Sequence, residues 1–237
     1  MLKTADKAQR DRTASVRDMF DRIAVRYDLM NRVVSLGMDA SWRRAAVASL
    51  QLSQGSTVLD LACGTGALSG ELNKAGMQPV GIDIAEQMLK QADEALPVSI
   101  GDCLRLPVRD ASAQGVICGF ALRHFVSMRP LLAEIARVLV PNGRLVLLEL
   151  DEPRPWLLRQ GHCLYSRTLI PLAGKVLSEK QAYKYLPDSL AFLPDPKQLE
   201  VDLRETGFID ITYQSLSLGI AQMVASSLES GSRGSAI

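Results

Sequence analysis

Asp60, Gly64, Gly66, Asp83 and Asp102 have the types and spacing that prepare chemistry in this sequence. The stretch Val58-Leu59-Asp60-Leu61-Ala62-Cys63-Gly64-Thr65-Gly66 reads as an apolar strand that runs into a glycine loop and then a helix. Glycine suits such a loop because the backbone must turn sharply and approach a ligand with no Cβ in the way. A G-x-G pair alone is equally an ordinary strand-to-helix turn. Asp83 sharpens the reading: it closes the second β-type run, 19 residues after Gly64, where an acid can accept both hydroxyls of a ribose. Asp102 follows the third run, in Gly101-Asp102-Cys103. Each acid alone reads as a surface carboxylate. Together, at the carboxyl ends of three successive strands, they converge on the crevice where such sheets bind ligands.

Charge narrows the kind of nucleoside. A dinucleotide site presents G-x-G-x-x-G and cradles a pyrophosphate on a helix N-terminus. Here Gly64 and Gly66 are followed by Ala67, Leu68 and Ser69, with the next glycine at Gly70. Asp60, just ahead of the loop, would repel pyrophosphate and suits a cation. S-adenosylmethionine, with its α-ammonium and sulfonium and no phosphate, is the cofactor that these charges favour.

The elements that must position these residues follow from periodicity. Val16, Met19, Phe20, Ile23 and Tyr27, at steps of three and four, predict an amphipathic helix over 15–27. A second helix is expected around 41–50, after Gly37. Short β-type runs then appear at 57–62, 79–83, 97–100, 115–119 and 144–149. Helical segments lie between them, the clearest at 131–139 and ending at the turn signal Pro141-Asn142-Gly143. This alternation predicts an α/β fold with a parallel sheet covered by helices on both faces. Residues 151–194 break the rhythm with Trp156, Tyr165, Tyr183, Tyr185, Phe192 and several prolines, and read as a helical insertion. A helix near 196–206, stopped by Gly207, and two further β-type runs near 209–216 and 219–226 complete the pattern. A polar tail, 228–237, is expected to lack structure.

Composition bounds the function. The 237 residues suit one large domain, with 47% hydrophobic and 22% charged residues. With 27 Lys plus Arg against 26 Asp plus Glu, nothing points to nucleic acid. The scattered cysteines Cys63, Cys103, Cys118 and Cys163, and only His124 and His162, suggest neither a metal site nor a disulfide framework. No run approaches the ~18 apolar residues of a membrane span. The N-terminal stretch lacks the apolar core of a secretory signal, so a reducing cytoplasm is the expected location.

Four stretches resemble one family: M-F-D-R-I-A-V-R-Y-D-L-M-N at 19–31, S-L-G-M-D-A-S-W-R-R at 35–44, the loop D-L-A-C-G-T-G, and G-F-A-L-R-H at 119–124. The sequence is similar, from about Met19 to Ala225, to the quinone-biosynthesis C-methyltransferases, which methylate the ring of demethylmenaquinol or a related ubiquinone precursor. The resemblance implies a Rossmann-like seven-stranded methyltransferase sheet whose last strand is antiparallel. It also implies a single domain with an N-terminal helical lid over 1–50 and a substrate-side insertion at 151–194. By position it carries cofactor contacts to Thr65, Asp83, Asp102 and Cys103, with Asp60, Gly64 and Gly66 at the methionine end and Tyr27 under the lid. The sequence departs from the family at Ala67 (commonly Asp), at Gly119 (commonly Ser) and at His124 (commonly Asn). A partial match at 187–190 and the lack of a basic C-terminal ending also loosen the substrate assignment.

Carbon methylation is an in-line displacement, so the protein must position two reactants and manage protons. The resemblance implies a part for Arg123. Arginine stays protonated, so stabilising a phenolate or orienting a water suits it better than accepting a proton; the competing reading is a salt bridge. His124 titrates in a useful range, yet a lone histidine beside an apolar strand is commonly a packing residue. The expected partners are a prenylated quinol, a membrane touched peripherally and, in any assembly, a second copy of the chain in a homodimer. The aromatics of 151–194 either receive the prenyl tail or complete the core. A methyltransferase of another aromatic or polyketide molecule, or a non-catalytic nucleotide-binding module, would share much of this pattern.

Overall fold

Apolar residues alternate sides along the central strands, and that alternation builds a core on each face of one sheet. The computed structural model describes residues 2–151 and 192–231. Strands β1 (Thr57–Leu61), β2 (Gln78–Asp83), β3 (Val98–Ile100), β4 (Ala113–Gly119), β5 (Leu139–Leu150), β6 (Phe208–Leu216) and β7 (Ala221–Leu228) form a sheet in the order β3-β2-β1-β4-β5-β7-β6. The first five strands pair in parallel, while β7 lies between β5 and β6 and is antiparallel to both. The expected seven-stranded Rossmann-like methyltransferase sheet, with an antiparallel last strand, is present.

Leu59, Val116, Cys118, Leu145 and Leu147 point to one face. There they meet Leu131, Leu132 and Ile135 of helix α6 (Met128–Val138) and Leu199 and Leu203 of α7 (Pro196–Glu205). Their neighbours Val58, Ile117, Val146 and Leu148 point to the other face. These meet Trp42, Ala46 and Val47 of α3 (Asp39–Ser49) and Leu68 and Leu72 of α4 (Ala67–Lys74). Asp195 caps α7 by accepting the Gln198 N–H, and Gly207 ends it in a left-handed conformation (φ 88°).

Several boundaries differ from those the sequence suggested. The first helix, α1 (Leu2–Ile23), does not run on to Tyr27. A 3-10 turn at Ala24–Arg26 separates it from α2 (Tyr27–Val34). Helix α6 ends at Val138, because Leu139 already pairs with Ala113 in the sheet. Pro141-Asn142-Gly143 is therefore an irregularity inside β5, with Asn142 at φ 62°. Leu228 is the last residue of β7, buried opposite Phe208, and is not part of a tail. Of the expected lid, α3 packs in a layer on the sheet, and α1 and α2 remain over the strand ends. The insertion falls almost wholly outside the described residues, as do 232–237.

Candidate active site

The strand order reverses between β1 and β4, so the loops leaving them diverge and open a crevice at their carboxyl ends. A cleft of about 710 Å³, counting its mouth, lies there. Both loops hold strained backbone at its wall: Ala62 at φ 52° and Phe120 at φ 60°, each a non-glycine residue in the left-handed region. Such conformations cost roughly 1–2 kcal/mol each and persist where the surrounding structure over-determines them. Gly64 (φ 56°) and Gly66 (φ 77°) continue the first loop. A Cβ on Gly64 would come within 3.0 Å of the Met88 side chain on the short helix α5 (Glu86–Leu89).

Of the residues singled out in the sequence, Tyr27, Gly64, Asp83, Asp102, Cys103 and His124 line the cleft. Asp60, Thr65, Gly66 and Arg123 stand behind its wall. Asp83 braces the loop: one carboxylate oxygen accepts the Gly64 N–H at 2.8 Å and the other the Ala85 N–H at 2.8 Å. Burial pushes its pKa up, against the pull of these donors. Asp60 is fully buried. Its Oδ2 accepts the Ser69 hydroxyl at 2.7 Å, and its Oδ1 has no hydrogen-bond partner. Burial raises its pKa to about 7.

Asp102 is exposed and accepts the Leu104 N–H, and the buried Cys103 thiol is pushed up to about 12. Thr65 donates its hydroxyl to Asp28 at 2.7 Å and so ties the glycine loop to α2.

Helix α1 roofs the cleft with Gln9, Thr13, Val16 and Phe20. Its ties are polar. Arg12 donates to the Arg123 carbonyl at 2.6 Å, Gln9 accepts the Val126 N–H at 2.8 Å, and Asp21 accepts the Gln87 N–H at 2.8 Å. Phe20 meets both Tyr27 and His124 edge-on, with centroids 5.7 and 5.4 Å apart, so edge-to-face rings join roof to floor.

The 3-10 turn Leu122–His124 follows β4 at the cleft. Arg123 is buried in an ion pair with Glu149 at the end of β5, the competing reading weighed for it above. His124 lines the cleft, but burial, helped by Arg123 and Arg12, lowers its pKa to about 3. At neutral pH it is a neutral ring and a feeble base. Gly119 also lines the cleft. A Cβ there would lie 2.5 Å from a Leu68 methyl, so that side chain fills the space a serine would need.

Sequence reasoning missed Glu149, Asp28 and Asp21. Glu149 carried one signal, a charge closing the apolar run Leu145–Leu148. Asp28 and Asp21 sit inside the 19–31 stretch with nothing in their spacing to reveal their partners.

A cationic nucleoside fits this donor set. The unpartnered Asp60 oxygen awaits a positive group, Asp83 offers acceptor lone pairs at the cleft wall, and the positive-φ glycines let backbone approach. The ubiE/COQ5 methyltransferase family model matches residues 4–227. The chain is 43% identical to the demethylmenaquinone methyltransferase of Deinococcus radiodurans, over 91% of this chain and 93% of that one. It is 34% identical to the ubiquinone/menaquinone biosynthesis C-methyltransferase UbiE of Geobacter sulfurreducens, over 93% of this chain and 89% of that one. Among solved structures, a SAM-dependent methyltransferase of Thermotoga maritima matches with a TM-score of 0.65 at 16% identity, covering 89% of this chain and 98% of its own. At that identity the likeness speaks for the fold alone.

Proposed function

The chain belongs to the ubiE/COQ5 methyltransferase family, and from that premise we propose that it methylates a ring carbon of a prenylated demethylmenaquinol, or a related ubiquinone precursor, with S-adenosylmethionine as donor. The names of the two relatives support the acceptor. The observation that carries the donor is Asp60, a buried carboxylate with one oxygen left without a hydrogen-bond partner beside the glycine loop. When bound, S-adenosylmethionine supplies a methyl group activated by its sulfonium.

The chain's own residues divide the remaining work. Asp60 offers charge to the ammonium end, Gly64 and Gly66 admit that end closely, and Asp83 accepts from the ribose while holding the loop. Asp102 and Cys103 border the far side of the cleft. The Arg123 guanidinium, held by Glu149, is a fixed cation behind the acceptor wall and favours a phenolate over a neutral phenol there. Neutral His124 and Phe20 shape that wall and keep water out. Methylation of the ring carbon replaces a hydrogen that leaves as a proton, and neither Arg123 nor His124 has the basicity to take it at neutral pH. We assign that role to a water in the cleft.

The test is product analysis. The purified chain is given labelled donor and, separately, demethylmenaquinol, a catechol and a polyketide aromatic. A new carbon–methyl bond on the quinol alone is expected. Transfer to oxygen, or preference for another acceptor, contradicts the proposal.

A further inference from the structure

Helix α2 shows two unlike faces. Tyr27 and Met30 turn inward, towards the cleft and the core. On the opposite side Leu29 is 54% exposed, and Val25 in the 3-10 turn before the helix and Leu36 in the turn after it are 82% and 69% exposed. A helix at a water-facing surface ordinarily presents polar residues there. These apolar residues are instead bracketed by the exposed Arg22 and Arg32. The exposed acid in the same stretch, Asp28, is occupied with the Thr65 hydroxyl.

We propose that the 22–36 segment seats the protein on an anionic lipid bilayer, with Val25, Leu29 and Leu36 entering the headgroup boundary and the arginines meeting lipid phosphates. An apolar strip edged with arginine matches such a surface in both polarity and charge. Continuity with the cleft supports the same occupant. Tyr27, in the same segment, lines the cleft, so its lip lies beside the outward strip. The inference rests on the prenylated acceptor proposed above, because a substrate dissolved in lipid must reach the cleft from the bilayer side.

The test is co-sedimentation of the full chain with vesicles of phosphatidylcholine, alone or mixed with phosphatidylglycerol. Partition is expected to rise with the anionic lipid and fall with salt. Val25→Asp/Leu29→Asp should lower it by about tenfold or more, with an unchanged circular dichroism melt. Turnover on a demethylmenaquinol carrying a short, water-soluble tail should not change. Arg22→Glu/Arg32→Glu keeps the apolar strip and should remove the preference for anionic vesicles. Wild-type protein that ignores vesicles overturns the proposal, as do variants that partition like it. So does gel filtration in which the aspartate pair converts a dimer to a monomer, since the strip would then be a contact between copies. A wild-type chain inactive on the short-tailed quinol contradicts the acceptor alone, and vesicle partition still decides the docking.

Discussion

Arg123 and Glu149 form a buried ion pair that joins the turn after β4 to the end of β5, directly behind the cleft wall. Glu149 also accepts the Leu150 N–H at 2.9 Å, so its carboxylate holds two strand ends at once. Removing one partner of such a pair leaves a charge buried without its counter-ion, at a cost of about 3–5 kcal/mol. Arg123→Met should therefore lower the unfolding midpoint sharply, and Arg123→Met/Glu149→Leu should recover most of the loss. If the guanidinium also serves the acceptor, the double variant stays slow in methyl transfer, by roughly a hundredfold, while donor affinity holds. Restored stability together with restored rate would reduce the pair to a structural tie.

Asp60 links pH to both stability and binding. Burial raises its carboxyl from the ordinary 3.8 to about 7, so the folded chain keeps a proton that the unfolded chain has lost between those values. Its contribution to stability is present below the ordinary value and is lost as pH rises through about 7. Asp60→Asn should raise the melting temperature at about pH 8 and change it little at about pH 4. Binding runs the other way: an ammonium prefers the ionised carboxylate. Donor affinity should rise between about pH 6 and about pH 7.5, with proton release on binding, and Asp60→Asn should flatten the rise. Calorimetry in two buffers of different ionisation enthalpy measures both. A flat wild-type profile would contradict the assignment.

Asp83 has two tasks that substitution can separate. Asp83→Asn keeps one oxygen for a backbone donor, whereas Asp83→Ala leaves the Gly64 and Ala85 N–H groups without their acceptor. The asparagine variant should stay folded and lose roughly 1.5–3 kcal/mol of donor affinity. The alanine variant should lose stability as well. Urea unfolding beside donor titration tells them apart, and an asparagine variant of undiminished affinity would remove Asp83 from the site.

Gly119 tests the packing of the cleft wall. Gly119→Ser drives a Cβ against Leu68, which is buried between α4 and the sheet. It should cost about 1–3 kcal/mol in urea unfolding. Leu68→Ala/Gly119→Ser should cost less than the two single changes added together, because the methyl in the way is gone. Strict additivity would show that the loop moves aside.

The sheet was legible because the signals that make it are local. The apolar runs with Asp60, Asp83 and Gly119 at or near their ends mark the strands, and the glycine loop marks the turn between β1 and α4. Boundaries erred where pairing overrode propensity: Leu139 joined Ala113 before the Pro141-Asn142-Gly143 signal could end the helix. Gly64, Asp83, Asp102 and Cys103, brought together by the strand ends, line the cleft. The bond from the Thr65 hydroxyl to Asp28 was not legible, because its partner lies 37 residues away in sequence. The turn after β4 was harder. Arg123 reads the same in sequence with or without a carboxylate facing it, and that carboxylate, Glu149, lies 26 residues further on at the end of β5. His124 loses its useful pKa to burial and to Arg123, and its spacing encodes neither.

The most direct measurement of the central claim compares the two oxidation states of one acceptor. Only a quinol, or its phenolate, pushes electron density onto the ring carbon, whereas the oxidised ring is electrophilic there. Labelled methyl transfer to demethylmenaquinol and to demethylmenaquinone is followed with and without a reductant. Label is expected on carbon, from the quinol alone, and only while reductant keeps the ring reduced. Equal transfer to both oxidation states, or label on oxygen, would contradict the account.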